Sequence, residues 1–186
     1  MNPHAPFRGV LHMPDRAVLR STSPVTLADG RPLASIRWHT WNVRARFDIL
    51  DPAGVTELAH GSRVGVIGRR YAARVPGGAA LLELRLARWL GVGGRCTVAL
   101  PDGETLTVRG NWTRRAFAIE DRSGRPVGRI LRTGAILALR PDSLTVELDR
   151  AALTAVQAIA LAQCLRAAIG SARSSDSSAA AVAAGG

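Results

Sequence analysis

One segment near the C-terminus, residues 151–169, constrains the fold more than any other part of the chain. It contains no proline or glycine, and most of it is Ala, Leu and Ile. Its few polar side chains are Thr154, Gln157, Gln163 and Arg166. Because these point in several directions on a helical wheel, the segment predicts a helix that is apolar, and therefore buried, on all sides.

Either a membrane or a protein core can bury such a helix. Its length of about 30 Å is compatible with a membrane span. However, alanine is only marginally apolar, and two glutamines and one arginine interrupt the segment, which makes insertion into lipid costly. We therefore expect burial in the protein core, with Asp149 as the N-cap and Gly170 just past the C-terminal end.

The chain before this helix has the periodicity of β-strands. Apolar and polar residues alternate in residues 43–49, 82–86, 105–109 and 144–148, which indicates strands with one buried and one solvated face. Turn sequences rich in Asp, Pro and Gly separate the strands. The pattern predicts twelve strands, at residues 33–38, 43–50, 55–59, 63–67, 70–75, 80–88, 96–100, 104–109, 115–120, 126–132, 135–140 and 143–148.

The sequence predicts a single domain with two poorly ordered ends. Residues 1–32 carry scattered prolines and weak periodicity, so we expect a loosely ordered N-terminal arm with at most one short strand. Residues 33–170, including the helix, form the expected domain. Residues 171–186 consist mainly of Ser, Ala and Gly, which predicts a disordered tail.

The chain is strongly basic, with a formal net charge of +11 from 25 basic and 14 acidic residues, and every basic residue other than histidine is arginine. This charge favours phosphate-rich partners, either an anionic membrane surface or nucleic acid. The alternative is that the charge only keeps the protein soluble and monomeric.

Two adjacent pairs, Arg69-Arg70 and Arg114-Arg115, are the candidate anion-binding residues, because a guanidinium group grips phosphate with a planar fork. Whether they form a patch or remain scattered depends on the fold. Further arginines that would widen a patch are Arg44, Arg46, Arg74 and Arg85.

No pattern for catalysis, a metal or a cofactor is apparent. Cys96 and Cys164 lack metal-ligand spacing, and the glycine-rich residues 61–68 lack a phosphate-loop lysine. His39 lies between Trp38 and Trp41, where we expect it to pack on tryptophan rather than act as a base or ligand. The N-terminus shows no signal peptide, so we expect a cytoplasmic protein, including one held peripherally at a membrane.

Three segments, in order, resemble the tubby-like superfamily, which includes LURP-one-related proteins, phospholipid scramblases and tubby domains. The first is the strand and turn FDILDPAG at residues 47–54. The second runs from Gly110 to Ile130, and the third is the strand at residues 144–148 followed by the apolar helix. The resemblance covers roughly residues 30 to 170. It implies an all-β fold with one buried helix: a closed barrel of about twelve mostly antiparallel strands around the C-terminal helix.

The resemblance also implies classes of function. Tubby domains bind phosphoinositides through basic side chains on the barrel, whereas scramblases are linked to calcium and to palmitoylated cysteines. This chain lacks the proline-rich arm and cysteine cluster of scramblases, and we expect no calcium site. The expected function is a non-catalytic binding module for anionic lipid headgroups or for a protein partner. A nucleic-acid-binding protein and a scramblase-like membrane-associated protein are the alternatives.

Overall fold

The computed structural model describes residues 1–14, 22–39, 46–65, 69–87, 94–111, 116–133 and 143–183. Within these residues the chain forms twelve strands followed by one helix. The strands are β1 (Pro6–Met13), β2 (Thr22–Leu27), β3 (Pro32–His39), β4 (Arg46–Leu50), β5 (Glu57–Val64), β6 (Arg70–Arg74), β7 (Ala80–Leu86), β8 (Gly94–Ala99), β9 (Thr105–Asn111), β10 (Ala116–Glu120), β11 (Pro126–Thr133) and β12 (Ser143–Thr154). The helix is α1 (Ala155–Ala183).

The strands form one closed barrel in which each strand pairs with its neighbours in the sequence, and β1 pairs with β12 to complete the circle. All twelve pairings are antiparallel. Closure leaves none of the twelve described strands at an edge of the sheet, which removes the sites where sheets aggregate. The predicted fold class is confirmed.

The first half of α1 runs through the middle of this barrel. Val156, Ile159, Leu161 and Cys164 are completely buried, and the helix contacts β1, β4, β5, β6, β7 and β12. Alanine is frequent in this part of the helix, so its backbone can approach the surrounding strands closely. No helix among the described residues has the length and apolarity that a membrane crossing requires.

Two buried phenylalanine rings pack over glycines on the neighbouring strands of the barrel. Phe47 lies across from Gly61 in the β4–β5 pair, and Phe117 lies across from Gly110 in the β9–β10 pair. A Cβ atom at either glycine would overlap the ring of its partner. Each ring therefore fills the space that a side chain on the neighbouring strand would need.

The predicted N-terminal arm is wrong, because β1 and β2 are both part of the barrel wall. Phe7, Leu11, Met13 and Val25 are buried in the core. The apolar pattern is weak here because Gly9, which has no side chain, occupies an inward position between Phe7 and Leu11, while the apolar Val10 is only half-buried on the other face.

Two of the predicted strands, 55–59 and 63–67, are replaced by the single strand β5. This strand ends at Val64 and is followed by Gly65, whose φ of 77° is positive. The predicted strand at residues 135–140 lies outside the described residues.

Both predicted ends of the helix are wrong. β12 continues to Thr154, so Asp149 is a strand residue, and α1 begins at Ala155. The helix also continues through Gly170 to Ala183, whereas a disordered tail was the expectation for residues 171–186. Residues 171–183 contain neither proline nor glycine, and extending a helix that is already formed costs less than starting one.

Candidate functional site

The two ends of the barrel are built differently. At the proximal end, defined as the end where α1 begins, the backbone N–H of Val156 donates to the carbonyl of Pro3. Short turns join β2 to β3, β4 to β5, β6 to β7, β8 to β9 and β10 to β11 there. At the distal end, the hydroxyl of Tyr71 on β6 donates to Ser171 on α1 at 3.3 Å. The odd-numbered strands from β1 to β11 finish at this distal end.

Four exposed arginines lie side by side on the outer face of the barrel towards the distal end. Arg70 on β6 pairs directly with Arg85 on β7, and Arg95 on β8 pairs directly with Arg109 on β9. Arg85 pairs with Thr97, so Arg95 is its diagonal neighbour, at a spacing of about 7–8 Å that long side chains bridge. We call these four residues the arginine stripe.

Glu83 partly neutralises one half of the arginine stripe. Arg70 donates to it twice, from Nε at 2.9 Å and from Nη2 at 3.1 Å, and Arg85 donates from Nε at 2.6 Å. The hydrogen bonds from Arg70, followed by those from Arg85, hold the pKa of the Glu83 carboxyl below its usual range despite some desolvation. Two arginines thus share one carboxylate, and one positive charge remains.

The other half of the arginine stripe, Arg95 and Arg109, also has an excess of positive charge. Arg109 lies 3.1 Å from Glu120, measured from Nε to Oε2. The side chain of Arg95 forms no hydrogen bond or ion pair with the described part of the chain. The four arginines of the stripe therefore face two carboxylates, and the surface carries a net positive charge.

The structure brings together some of the predicted anion-binding residues. Arg70 is part of the arginine stripe, and Arg69 is exposed immediately before it, with no side-chain partner among the described residues. Arg85, which was expected to widen a patch, also lies in the stripe. Arg114 and Arg115 lie outside the described residues.

Three further arginines named as widening a patch do not join the arginine stripe. Arg74 lies at the proximal end of β6, where Nη1 donates to the carbonyl of Gly78 at 2.8 Å. Arg46 lies 3.5 Å from Asp48 on β4. Arg44 lies outside the described residues.

Sequence reasoning missed Arg95 and Arg109 as site residues. Alternation with Val108 already places Arg109 on the solvated face of its strand. What the sequence does not contain is the register that aligns β8 with β9 and sets Arg95 diagonal to Arg85. The patch is a property of strand pairing and not of any local motif.

A second charged cluster surrounds Asp48, whose side chain is only 1% exposed. Its Oδ2 accepts hydrogen bonds from Arg37 Nη2 at 2.9 Å and from His39 Nε2 at 2.7 Å. Burial alone would raise the pKa of Asp48, but the bonds from His39 and Arg37 outweigh it, and the pKa lies below its usual range. His39 thus holds a buried carboxylate, and Trp38 packs on Phe47 with ring centroids 5.4 Å apart.

A pocket of about 500 Å³ opens at the proximal end, beside the first turn of α1. Asp102, Glu104 and Asp121 line it together with Arg125 and Arg150. Both arginines already donate to Oδ2 of Asp121, at 2.9 and 3.1 Å. Because the arginines are engaged and the carboxylates repel negative charge, this pocket is poorly suited to an anion.

The described residues offer little redox or metal chemistry. Both thiols are buried, and desolvation raises the pKa of Cys96 and of Cys164 to about 12, so both remain protonated at neutral pH. In the described ranges no three His, Cys, Asp or Glu side chains converge as metal ligands would.

Comparisons with known proteins give a fold but not a family. No family model matches the sequence, and no curated protein matches it. The structure is similar to an X-ray structure of a protein from Arabidopsis thaliana, AT5G01750, with a TM-score of 0.58. The similarity covers 89% of this chain and 94% of that chain. The two proteins share a fold, and at 16% sequence identity the likeness extends no further.

Proposed function

We propose that this protein is a tubby-like barrel of the LURP-one-related type that binds anionic lipid headgroups, such as phosphoinositides, without catalysing a reaction. The membership is supported by the order of the resembling segments and by a twelve-strand barrel around a C-terminal helix. The binding is supported by one observation above all: β6–β9 carry the arginine stripe on adjacent strands.

The chemistry of the arginine stripe suits phosphate groups. Each guanidinium offers a planar set of N–H donors that matches phosphate oxygens, and hydrogen bonds between charged partners are the stronger ones. The side chains of Arg70, Arg85 and Arg109 are 51%, 62% and 54% exposed, so a membrane surface can reach them. A basic residue close to an anionic leaflet contributes about 1 kcal/mol to binding.

Nucleic acid is the competing partner for the same charge. Proteins that bind single-stranded nucleic acid combine basic grooves with exposed aromatic rings on which bases stack. Among the described residues the exposed large apolar side chains are Met1, Val55 and Val64, none of them aromatic. Aromatic residues make up only 4% of the chain, which favours a lipid headgroup over a stack of nucleobases.

The test is co-flotation with vesicles of phosphatidylcholine alone and of phosphatidylcholine with an anionic lipid, over a series of salt concentrations. A titration with duplex DNA is done in the same buffer. We expect binding to the anionic vesicles that weakens with salt and exceeds binding to DNA. Tighter binding to DNA with a steep salt dependence would contradict the proposal in favour of nucleic acid. Binding to neither would assign the charge to solubility alone.

A pair of matched variants locates the binding surface. In the first, Arg70, Arg85, Arg95 and Arg109 are replaced by glutamine. In the second, the same change is made at four exposed arginines towards the proximal end, Arg8, Arg31, Arg74 and Arg122. Both variants lose the same charge, so equal weakening would contradict a specific surface. We expect the first to bind anionic vesicles about a thousandfold more weakly and the second to change little.

A further inference from the structure

One arginine, Arg63, faces the interior of the barrel near the distal end. On β5, Ala59 is completely buried and Gly61 faces the ring of Phe47. The two-residue period of the strand therefore directs Arg63 inward as well. Its partner across the β5–β6 pair is Tyr71, which is completely buried.

The guanidinium of Arg63 is incompletely satisfied. Its Nε is buried and has no hydrogen-bond partner among the residues that the structure describes. No carboxylate in the described part of the chain forms an ion pair with it. This contrasts with Arg70, Arg85 and Arg109 on the outer face, each of which reaches a glutamate. A buried donor without a partner is costly in free energy and is rare unless water or an ion completes it.

The surroundings of Arg63 supply a second hydrogen-bond donor, the hydroxyl of Tyr71. Burial raises the pKa of Tyr71, while the hydrogen bond to Ser171 and the positive charge of Arg63 act in the opposite direction. The Tyr71 hydroxyl donates to Ser171, whose own hydroxyl donates to the carbonyl of Ala167. A hydroxyl proton can rotate, so Tyr71 can redirect its hydrogen bond to a ligand beside Arg63.

We propose that Arg63 and Tyr71 form an inward-facing site for an oxyanion, a phosphate group, near the distal end of the barrel. The planar guanidinium of Arg63 matches two oxygens of such a group, and one of these oxygens would accept a hydrogen bond from the buried Nε. The phosphate can belong to a lipid headgroup or be free in solution. This goes beyond the proposed function, because the arginine stripe lies on the outer face of the sheet and Arg63 on the inner face.

Tyr71 gives this site a specific reporter, because it is the only tyrosine in the chain. Protein labelled with ¹³C at the ζ carbon of tyrosine has a single labelled resonance. We expect inorganic phosphate to shift this resonance in a saturable manner at neutral pH, with sodium chloride at matched ionic strength as the reference. A shift no larger than that caused by chloride would overturn the proposal.

Substitutions at Arg63 separate binding from a general salt effect. We expect Arg63→Gln to abolish the saturable shift. Arg63→Lys keeps the charge but loses the fork, so it should bind phosphate about tenfold more weakly, the effect of one charge-assisted hydrogen bond. Arg74→Gln, an exposed change on the strand of Tyr71, is the matched control and should bind normally. A saturable shift that persists unchanged in Arg63→Gln would assign the anion to another site.

A stability measurement distinguishes a ligand site from a structural arginine. Arg63→Met removes the unpartnered donor, so we expect a higher Tm than the unmodified protein in phosphate-free buffer. Phosphate should raise the Tm of the unmodified protein and not that of the variant, since it binds only the former. A lower Tm for the variant in both buffers would mean that Arg63 is structural and would contradict the proposal.

Two further arms identify the source of the phosphate and separate the site from the arginine stripe. Glycerol phosphate tests a headgroup without acyl chains, and vesicles containing phosphatidic acid test a lipid in a bilayer. A Tyr71 shift with inorganic phosphate alone would assign the site to the free ion, whereas a shift with all three would include lipid. The four-glutamine variant of the arginine stripe should keep the phosphate shift even if it no longer binds vesicles.

Discussion

At the scale of single residues, Asp48 shows how a charge is held on the barrel wall. Alternation with Phe47 and Ile49 predicts that it faces solvent, yet its side chain is 1% exposed. Arg37 and His39 from β3, together with Arg46 from β4, cover it. The sequence shows the direction of this side chain correctly but not its burial, because the covering groups come mainly from the neighbouring strand.

We expect Asp48→Asn to lower the free energy of unfolding at pH 7 by about 1–3 kcal/mol. The change removes the negative charge that Arg37 and Arg46 face and leaves the two guanidinium groups close together beside His39. The cost stays moderate because Arg37, His39 and Arg46 are 43%, 34% and 45% exposed and can be solvated again. Urea unfolding measures the difference, and Asp149→Asn, at an exposed carboxylate on β12, is the control.

The effect of Asp48 depends on pH with a definite sign. Its pKa in the folded protein is lowered, so the folded state holds this proton less tightly than the unfolded state. The carboxylate therefore stabilises the fold above the unfolded pKa of about 4, and this contribution disappears as the pH falls through the folded value. The unmodified protein and Asp48→Asn should converge in stability in acid. A constant difference down to low pH would contradict this account.

At the scale of elements, the start of α1 is fixed by a capping box. The Thr154 backbone N–H donates to Gln157 Oε1 at 2.8 Å, and the Gln157 backbone N–H donates to Thr154 Oγ1 at 3.2 Å. This reciprocal pattern is a known helix start, and its residues are legible in the sequence as Thr-x-x-Gln. Asp149 does not cap the helix, because β12 continues beyond it to Thr154.

Thr154→Ala should destabilise the protein by about 1 kcal/mol, because it removes the acceptor for one N–H at the start of the helix. Thr154→Ser keeps the hydroxyl and should retain most of the stability. A double-mutant cycle with Gln157→Ala measures the coupling free energy between the two side chains, which take part in the same capping box. If Thr154→Ser is as unstable as Thr154→Ala, the loss comes from packing of the threonine methyl group instead of the cap.

At the scale of the whole molecule, the sequence predicts the architecture better than the location of its parts. The period of the strands and an apolar helix without a polar face are enough to imply a barrel around a core helix, because few folds bury a helix on all sides. Closure is harder to predict, since β1 is recruited from a segment with weak alternation and pairs with β12, far away in the sequence. The arginine stripe has the same origin, because register is a long-range property.

Because β1 closes the barrel, removing the N-terminal residues should disrupt the fold, whereas removing a loosely ordered arm would not. β1 pairs with both β12 and β2, and it buries Phe7, Leu11 and Met13. Deletion of residues 1–14 would open the barrel and leave two unpaired strand edges, so we expect loss of cooperative unfolding and aggregation. A truncated chain that unfolds cooperatively at the original Tm would show that the strand is dispensable.

The missing strand can also be supplied as a separate peptide, which tests closure without changing the rest of the chain. Refolding the truncated protein with a peptide of residues 1–14 should restore cooperative unfolding, because the peptide re-forms the pairings with β12 and β2 and returns the buried side chains. The matched control peptide carries Leu11→Asp, which places a charge at a position that is completely buried. Equal rescue by both peptides would mean that the edges need only main-chain pairing, whereas rescue by the original peptide alone would show that the barrel closes through its core.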